Sequence, residues 1–475
     1  MAKAMHIIDE LERSAMLHAD RMALISPEIS VTYEELTAAI SSLAAALQSH
    51  TSVERIFLQT DTSYGSVVAY FACLKAERVP LLGDPSWPLN YVEKQFDLLG
   101  LECALFPVRS EKGTTLDGAR EVPFSEDRLD FSLQLVSGNG RVVALQPDTE
   151  VIRFTSGSTG VAKALEFSGR AVTEAAKAWR TAAGYNVNTR ALCVATMNNG
   201  LAFNTSLLPV LGAGGCLICY PRPLIPGALC KYGLSHAANV FVGFPFAYDL
   251  LCEAKSSHVS EFLQSVDLLV SAAAVLEPDT NQKIYKLAGK WIGNYYGLAE
   301  AGPVTFNDGS QASSLGVSLP NCEIKLEQPD DSEGGRLLVK TESMATCSHG
   351  TDSETFSADW CITNDRCHIG PDGQLYLLGR FDSVVNIGGN KVDLSWLRKE
   401  IETLVSLGAC SVGITDSGQL ELVVEGEEMD TVTLTQSMRA SLPAHCVPSK
   451  IRFTGKMARA ASGKILAPVA QESLE

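Results

Sequence analysis

The sequence predicts an α/β protein: a large N-terminal domain of mixed sheets flanked by helices, a small antiparallel region, and a small α+β C-terminal domain. Three observations predict it. Strand and helix patterns alternate over about the first 100 residues and again over 149–305, the order that builds parallel βαβ units. Short, turn-rich strands such as GGRLLVK and GQLYLLG follow Glu300. The remainder, from about 384, reads as a self-contained unit of one helix and paired strands.

Each element has a local reason. TYEELTAAISSLAAAL carries Leu36, Ile40, Leu43 and Leu47 at helical spacing, and Thr32 with Glu35 predicts a capping box. ERIFLQT reads as a strand, SYGSVVAYFACLKA as a buried helix, and VPLLG as a strand stopped at Asp84-Pro85. From about 108 to 148 the text turns polar, which predicts an irregular surface excursion. LSWLRKEIETLV places Leu394, Leu397, Ile401 and Leu404 on one helical face. ACSVGIT and QLELVVEG follow as strands, with Leu420, Leu422 and Val424 alternating against Glu421, Val423 and Glu425.

Composition excludes several classes. The net charge of −17 and the lack of a Lys/Arg-rich run argue against a nucleic-acid binder, since that binding needs clustered cations. The N-terminus has Asp and Glu where a signal peptide is apolar. The apolar stretch 207–230 is broken by Gly212, Gly214, Gly215, Pro221 and Arg222 and cannot span a membrane. A soluble, cytoplasmic protein is expected. The thirteen cysteines are therefore read as reduced thiols, and Cys216 and Cys219 as strand packing, because no second ligand pair follows them.

VIRFTSGSTGVAK is the segment richest in chemistry. An apolar strand runs into Thr155, Ser156, Gly157, Ser158, Thr159 and Gly160, with Lys163 just beyond. Glycines let successive N–H groups turn toward one centre, hydroxyls add donors and lysine adds charge, which together suit a phosphate. The ending is not that of a Walker A loop.

TSGSTGVAK resembles the Thr-Ser-Gly-Ser-Thr-Gly-x-Pro-Lys signature of the adenylate-forming superfamily, which includes acyl-CoA synthetases, peptide-synthetase adenylation domains and firefly luciferase. Further segments follow in that family's order. SAAAVL resembles the turn beside adenine, NYYGLAEAGP the Asn-Gly-Tyr-Gly-x-Thr-Glu motif, and WCITNDRCHIGPDGQLYLLGRFDSVVNIGGNKV the Thr-Gly-Asp to Gly-Arg-x-Asp run. ARAASGKI resembles the terminal Ser-Gly-Lys motif. The resemblance implies a large domain over 1–379, a hinge at 380–383 centred on Asp382, and a mobile small domain over 384–475.

It also implies a two-step reaction: carboxylate plus ATP gives an acyl-adenylate and pyrophosphate, and a nucleophile then takes the acyl group. The Thr155–Gly160 loop and Lys163 are expected to hold the β- and γ-phosphates. Glu300 is expected to bind Mg²⁺, Tyr296 with Gly297 beside it to stack on adenine, and Ala273 and Asn294 to supply polar contacts. Asp365 is expected to take the ribose hydroxyls, Arg380 the ribose or phosphate. Lys464 is the expected catalytic residue, its ammonium bridging substrate carboxylate and α-phosphate.

Several positions depart from the pattern. Ala299 replaces a phosphate-bonding Thr, a donor worth about 1–3 kcal/mol if nothing replaces it. Asn364 stands for Gly, Ala162 for Pro and Asn386 for a common Lys, while Met197, Asn198 and Asn199 occupy a region where acyl-CoA synthetases often carry His. Amino-acid-activating relatives show Phe-Asp where this chain has Phe203-Asn204, so an acid without an α-amine is expected. Phe203, Asn204, Phe241, Gly243, Phe244 and Leu298 are the candidate substrate pocket, with ordinary core packing the open alternative for the phenylalanines. The acceptor is expected to be coenzyme A. A phosphopantetheinyl carrier protein acting in trans, an amine, or a non-catalytic nucleotide binder are the alternatives.

Overall fold

The computed structural model describes residues 6–457 and Arg459, apart from 86, 88, 108–115, 127–128, 137–142, 155–162, 221–222, 312, 328–333, 350–355, 358, 388–389, 406–408, 416–418 and 443–445. The chain forms two compact units, Met1–Glu323 with Val339–Cys361, and Ile324–Leu338 with Ile362–Glu475.

The first unit contains two large mixed sheets. In one, Arg55–Gln59 lies between Val79–Gly83 and Cys103–Pro107, and Val79–Gly83 continues to Thr149–Phe154, all in parallel. Val79–Gly83 is buried along its whole length, as a parallel strand covered on both faces must be. The helix Tyr33–His50 begins with the expected capping box: Thr32 Oγ1 accepts from the Glu35 N–H at 3.2 Å, and Glu35 accepts from the Thr32 N–H at 2.8 Å. Leu36, Ile40, Leu43 and Leu47 all point into the core.

The polar stretch 108–148 is not wholly irregular. Arg120–Glu126 and Leu129–Leu135 pair as antiparallel strands, and the second also pairs with Cys103–Pro107 at the sheet edge. Phe131, Ser132, Leu133 and Gln134 are all buried, a run whose polar members conceal it in the sequence. Gln134, fully buried, accepts from the Leu116 N–H at 2.8 Å.

The second sheet runs, from one edge to the other, Val317–Ser318, Gly302–Asn307, Gly293–Leu298, Leu268–Ser271, Val240–Gly243, Arg190–Cys193, Cys216–Cys219, Met22–Ile25 and Ser30–Thr32. All thirteen cysteines are free thiols, and Cys216 and Cys219 are buried in their strand. No helix among the described residues is long and apolar enough to cross a membrane.

The second unit is the α+β region. Cys410–Ile414 pairs antiparallel with Leu420–Glu425, which pairs in parallel with Lys450–Thr454. Leu397 and Ile401 of the helix Leu394–Val405 pack with Leu420, Leu422 and Val424, as the spacing predicts. This unit extends beyond the expected 384–475 to include 324–338 and 362–383. The reason is strand pairing: Asp365 to Ile369 form an antiparallel ladder with Leu375 to Arg380, and Arg336 bonds the Thr363 carbonyl and the Asn364 side chain.

One buried ion pair ties two helices of the first unit. Glu10, 2% exposed, lies in Ile7–Leu17 and receives both terminal nitrogens of Arg180, in Gly169–Ala182, at 2.8 and 3.3 Å. Removing one partner leaves a buried charge alone. Arg180→Ala is expected to destabilise the fold by about 3–5 kcal/mol, and Glu10→Gln with Arg180→Met together by clearly less; urea unfolding of the three variants checks this.

Candidate functional site

The strand order itself points to a crevice. From Arg190–Cys193 the chain continues to Cys216–Cys219 on one side of that strand and then to Val240–Gly243 on the other. Strand order reverses there, and open α/β sheets bind ligands outside the carboxyl ends of strands at such a reversal. Val240–Gly243, Leu268–Ser271 and Gly293–Leu298 lie side by side and parallel, with Gly243 opposite Ser271 and Ser271 opposite Asn294. Three of the segments singled out in the sequence therefore form one row. Gly293–Leu298 runs on past its neighbour, so Tyr296, Gly297 and Leu298 extend beyond the row.

Local geometry explains several residue types. A Cβ at Gly297 would lie 2.7 Å from the Gly302 carbonyl oxygen and 2.5 Å from the Tyr295 hydroxyl, so only glycine fits. Ala273 is exposed and left-handed at φ +68°, a conformation unfavourable for a residue with a Cβ. Strain of this kind gathers at functional sites. The Ser271 hydroxyl is fully buried and has no hydrogen-bond partner among the described residues. Half-buried Glu300 is held by its backbone: its carbonyl accepts from the Ala345 N–H at 2.8 Å, while Ser343 Oγ donates to the Ala301 carbonyl at 2.8 Å. Its carboxylate is a hard oxygen donor of the kind Mg²⁺ takes.

Phe203 and Asn204 are buried and open a π-helical turn, Phe203–Leu207, after the Gly200–Ala202 turn; such turns recur at functional sites. Asn199 caps this segment, accepting from the Leu201 N–H at 2.9 Å, and Asn198 Nδ2 donates to Asp84 at 3.1 Å. Phe244 is buried at the start of Pro245–Glu253. The Phe241 ring lies in the apolar core, 5.3 Å from Tyr248 and 5.6 Å from Phe262, so its packing accounts for it. Half-buried Lys163 directly precedes the strand Ala164–Ser168. Thr155 to Gly160 and Lys464 lie outside the described residues, as does the side chain of Asp382, which sits in the turn Phe381–Ser383.

In the second unit, Asp365 and Arg380 face each other across their ladder and pair at 3.6 Å. Asp365 is 5% exposed, and its N–H donates to Thr363 Oγ1 at 3.0 Å. A buried carboxylate beside a guanidinium suits a ligand with adjacent hydroxyls.

Two features were not anticipated. Arg153 stands in the strand Thr149–Phe154 between apolar neighbours and is 7% exposed; the charge within VIRF was the available signal. Glu166, Cys347 and His349 cluster where their strands pair. Fully buried Glu166 accepts from Gln146 N–H at 2.9 Å and Thr149 Oγ1 at 2.5 Å, and pairs with His349 Nε2 at 2.5 Å. These three partners already engage the carboxylate, which is the behaviour of a clip between strands.

Comparison with known proteins agrees with this geometry. The AMP-binding enzyme family matches residues 11–348, and the chain belongs to it. It is 23% identical over 508 residues to the D-alanine–D-alanyl carrier protein ligase of Bacillus licheniformis, covering 97% of this chain and 98% of the relative. It is 23% identical over 443 residues to the 4-chlorobenzoate–CoA ligase of Arthrobacter sp, covering 86% and 83%. Among solved structures, O-succinylbenzoate coenzyme A synthetase (MenE) from Bacillus subtilis, in complex with AMP, aligns with a TM-score of 0.80 at 18% identity, covering 98% of each chain. The protein is thus an AMP-forming ligase that uses ATP to activate a small-molecule acid as its adenylate.

Burial pushes the Glu166 carboxyl up, but the bonds from His349, Thr149 and Gln146 outweigh it, and the net shift is downward. A depressed carboxyl stabilises the fold fully above its unfolded value of about 4.3 and loses that contribution as pH falls through the lower folded value. The stability gap between the native protein and Glu166→Gln should therefore hold steady from about pH 6 to pH 5 and close below about pH 4, as read from thermal unfolding against pH.

Proposed function

We propose that this enzyme joins a carboxylic acid lacking an α-amine to a thiol, coenzyme A, through an acyl-adenylate. The observation that carries the choice of acid is the pairing of buried Asn204 with buried Arg153 in one lining. An ammonium there would meet no carboxylate from Asn204 and a like charge from Arg153, which is costly in a desolvated site. The coenzyme A ligases among the similar proteins support the acceptor; the carrier-protein ligase keeps a phosphopantetheinyl thiol as the second reading.

In the first step a substrate carboxylate oxygen bonds to the α-phosphorus of ATP while the bond to pyrophosphate breaks. Both reactants are anions, so the chain's task is to neutralise charge and hold them in line. Thr155, Ser156, Gly157, Ser158, Thr159, Gly160 and Lys163 would cradle the departing phosphates. Lys464 would bridge carboxylate and α-phosphate, carried in by the segment that follows a hinge at Asp382. Tyr296 and Gly297 would take the adenine face, with Ala273 and Asn294 at its edge. Asp365 and Arg380 would hold the ribose. Mg²⁺, which would offset phosphate charge when bound, fits the carboxylate of Glu300. In the second step a thiolate attacks the acyl carbon and AMP leaves.

Acid-dependent ATP–pyrophosphate exchange tests the reading. The native enzyme is expected to exchange with at least one acid of a broad panel. Lys464→Ala is expected to lower the exchange rate by about 10²-fold or more, and removal of Mg²⁺ to abolish it. Coenzyme A added afterwards should yield the acyl thioester; a product only with a carrier protein or an amine would replace the acceptor named here.

A further inference from the structure

Arg153 is a buried cation without a counter-charge. Its guanidinium has no hydrogen bond or ion pair among the described residues, and its Nε is fully enclosed and unpartnered. Glu150, on the same strand, pairs instead with His6 at 2.7 Å. The rings of Phe203 and Phe167, with centroids 4.8 and 5.7 Å from the guanidinium carbon, offer only their π faces. Cation–π contact offsets only part of the penalty for desolvating a guanidinium. Burial lowers the Arg153 pKa to about 10, which leaves it charged at neutral pH.

Beside this cation, in a largely apolar lining, stands the amide of Asn204. Arg153, Asn204 and Ser343 line a small cavity with Phe167, Ala171 and Phe203. Gly200 lets the guanidinium approach the backbone: a Cβ there would lie only 3.1 Å from Arg153 Nη2, and 3.9 Å from Asn204 Nδ2. Guanidinium and amide thus face one point. A cation and an amide beside one enclosed space match a carboxylate.

We propose that Arg153, with Asn204, forms a subsite for a second carboxylate, so that the acid activated by this enzyme is a short diacid. The proposal rests on the acid-ligase reading above. One carboxylate of the diacid reacts; the other is held by Arg153 and stays a carboxylate throughout. Arg153 is the penultimate residue of a strand that leads into the expected phosphate loop. At about 3.3 Å of rise per residue, an anion held there lies close to that strand's end, which suits a chain of a few carbons.

Matched acids separate this proposal from the reading beneath it. Exchange is measured with malonate, succinate and glutarate against propanoate, butanoate and pentanoate, using the native enzyme, Arg153→Met and Arg153→Lys. The expected result is at least a 100-fold higher kcat/KM for one diacid over its monoacid. Arg153→Met should lose that preference mainly through KM, and Arg153→Lys should recover part of it. Exchange with monoacids alone, unaffected by Arg153→Met, overturns the subsite and leaves the ligase intact. No exchange with any acid counts against the ligase reading, and thermal shift then decides the subsite. A diacid should raise the melting temperature of the native protein but not of Arg153→Met, and without diacid the Met variant should melt higher. Equal shifts in both proteins, or a Met variant that melts lower and binds no worse, would sink the proposal.

Discussion

Parallel pairing is the constraint on which the rest of this structure depends. Strands that run the same way present their carboxyl ends at one edge, and each then gives way to a loop there. The register that sets Gly243 beside Ser271 and Ser271 beside Asn294 brings together segments far apart in the chain. Hydrogen bonding within the sheet is thus what assembles this row; no direct affinity among the loops is needed. The longer strand Gly293–Leu298 then carries Tyr296 and Leu298 past Leu268–Ser271 while still paired with Gly302–Asn307, and Gly297 must be glycine because two oxygen atoms crowd it.

A second theme is how charge is buried in a protein that is acidic overall. Glu10 is matched by Arg180, and Glu166 by His349 with two hydrogen-bond donors. Each is satisfied within its own unit and serves to lock strands or helices together. Arg153 is treated differently: it is placed among aromatic rings and left unmatched. Desolvation makes unmatched charge expensive, so the contrast separates charges that stabilise the fold from one that is kept available.

Much of the architecture was legible locally. The capping box at Thr32 and Glu35, the inward face Leu36-Ile40-Leu43-Leu47, and the helix carrying Leu397 and Ile401 follow from spacing alone and are present. The strands Arg120–Glu126 and Leu129–Leu135 were not, because their few apolar residues are set among charged and polar ones. Phe241 could not be assigned from its type: a buried phenylalanine reads the same whether it faces a ligand or, as here, Tyr248 and Phe262. Arg153 was passed over because a single arginine in an apolar strand is uninformative until its burial and the absence of a partner are known.

The sequence by itself determined the family and the order of its glycine-rich segments, since both reside in short runs whose chemistry is local. It also determined the departures at Ala299, Asn364 and Asn386. Tertiary structure decided which of those segments become neighbours, because strand order and register depend on pairings between distant parts of the chain. It likewise decided that Arg153 is enclosed without an opposing charge among the described residues: burial and partnership belong to the packed molecule, and no stretch of sequence contains them.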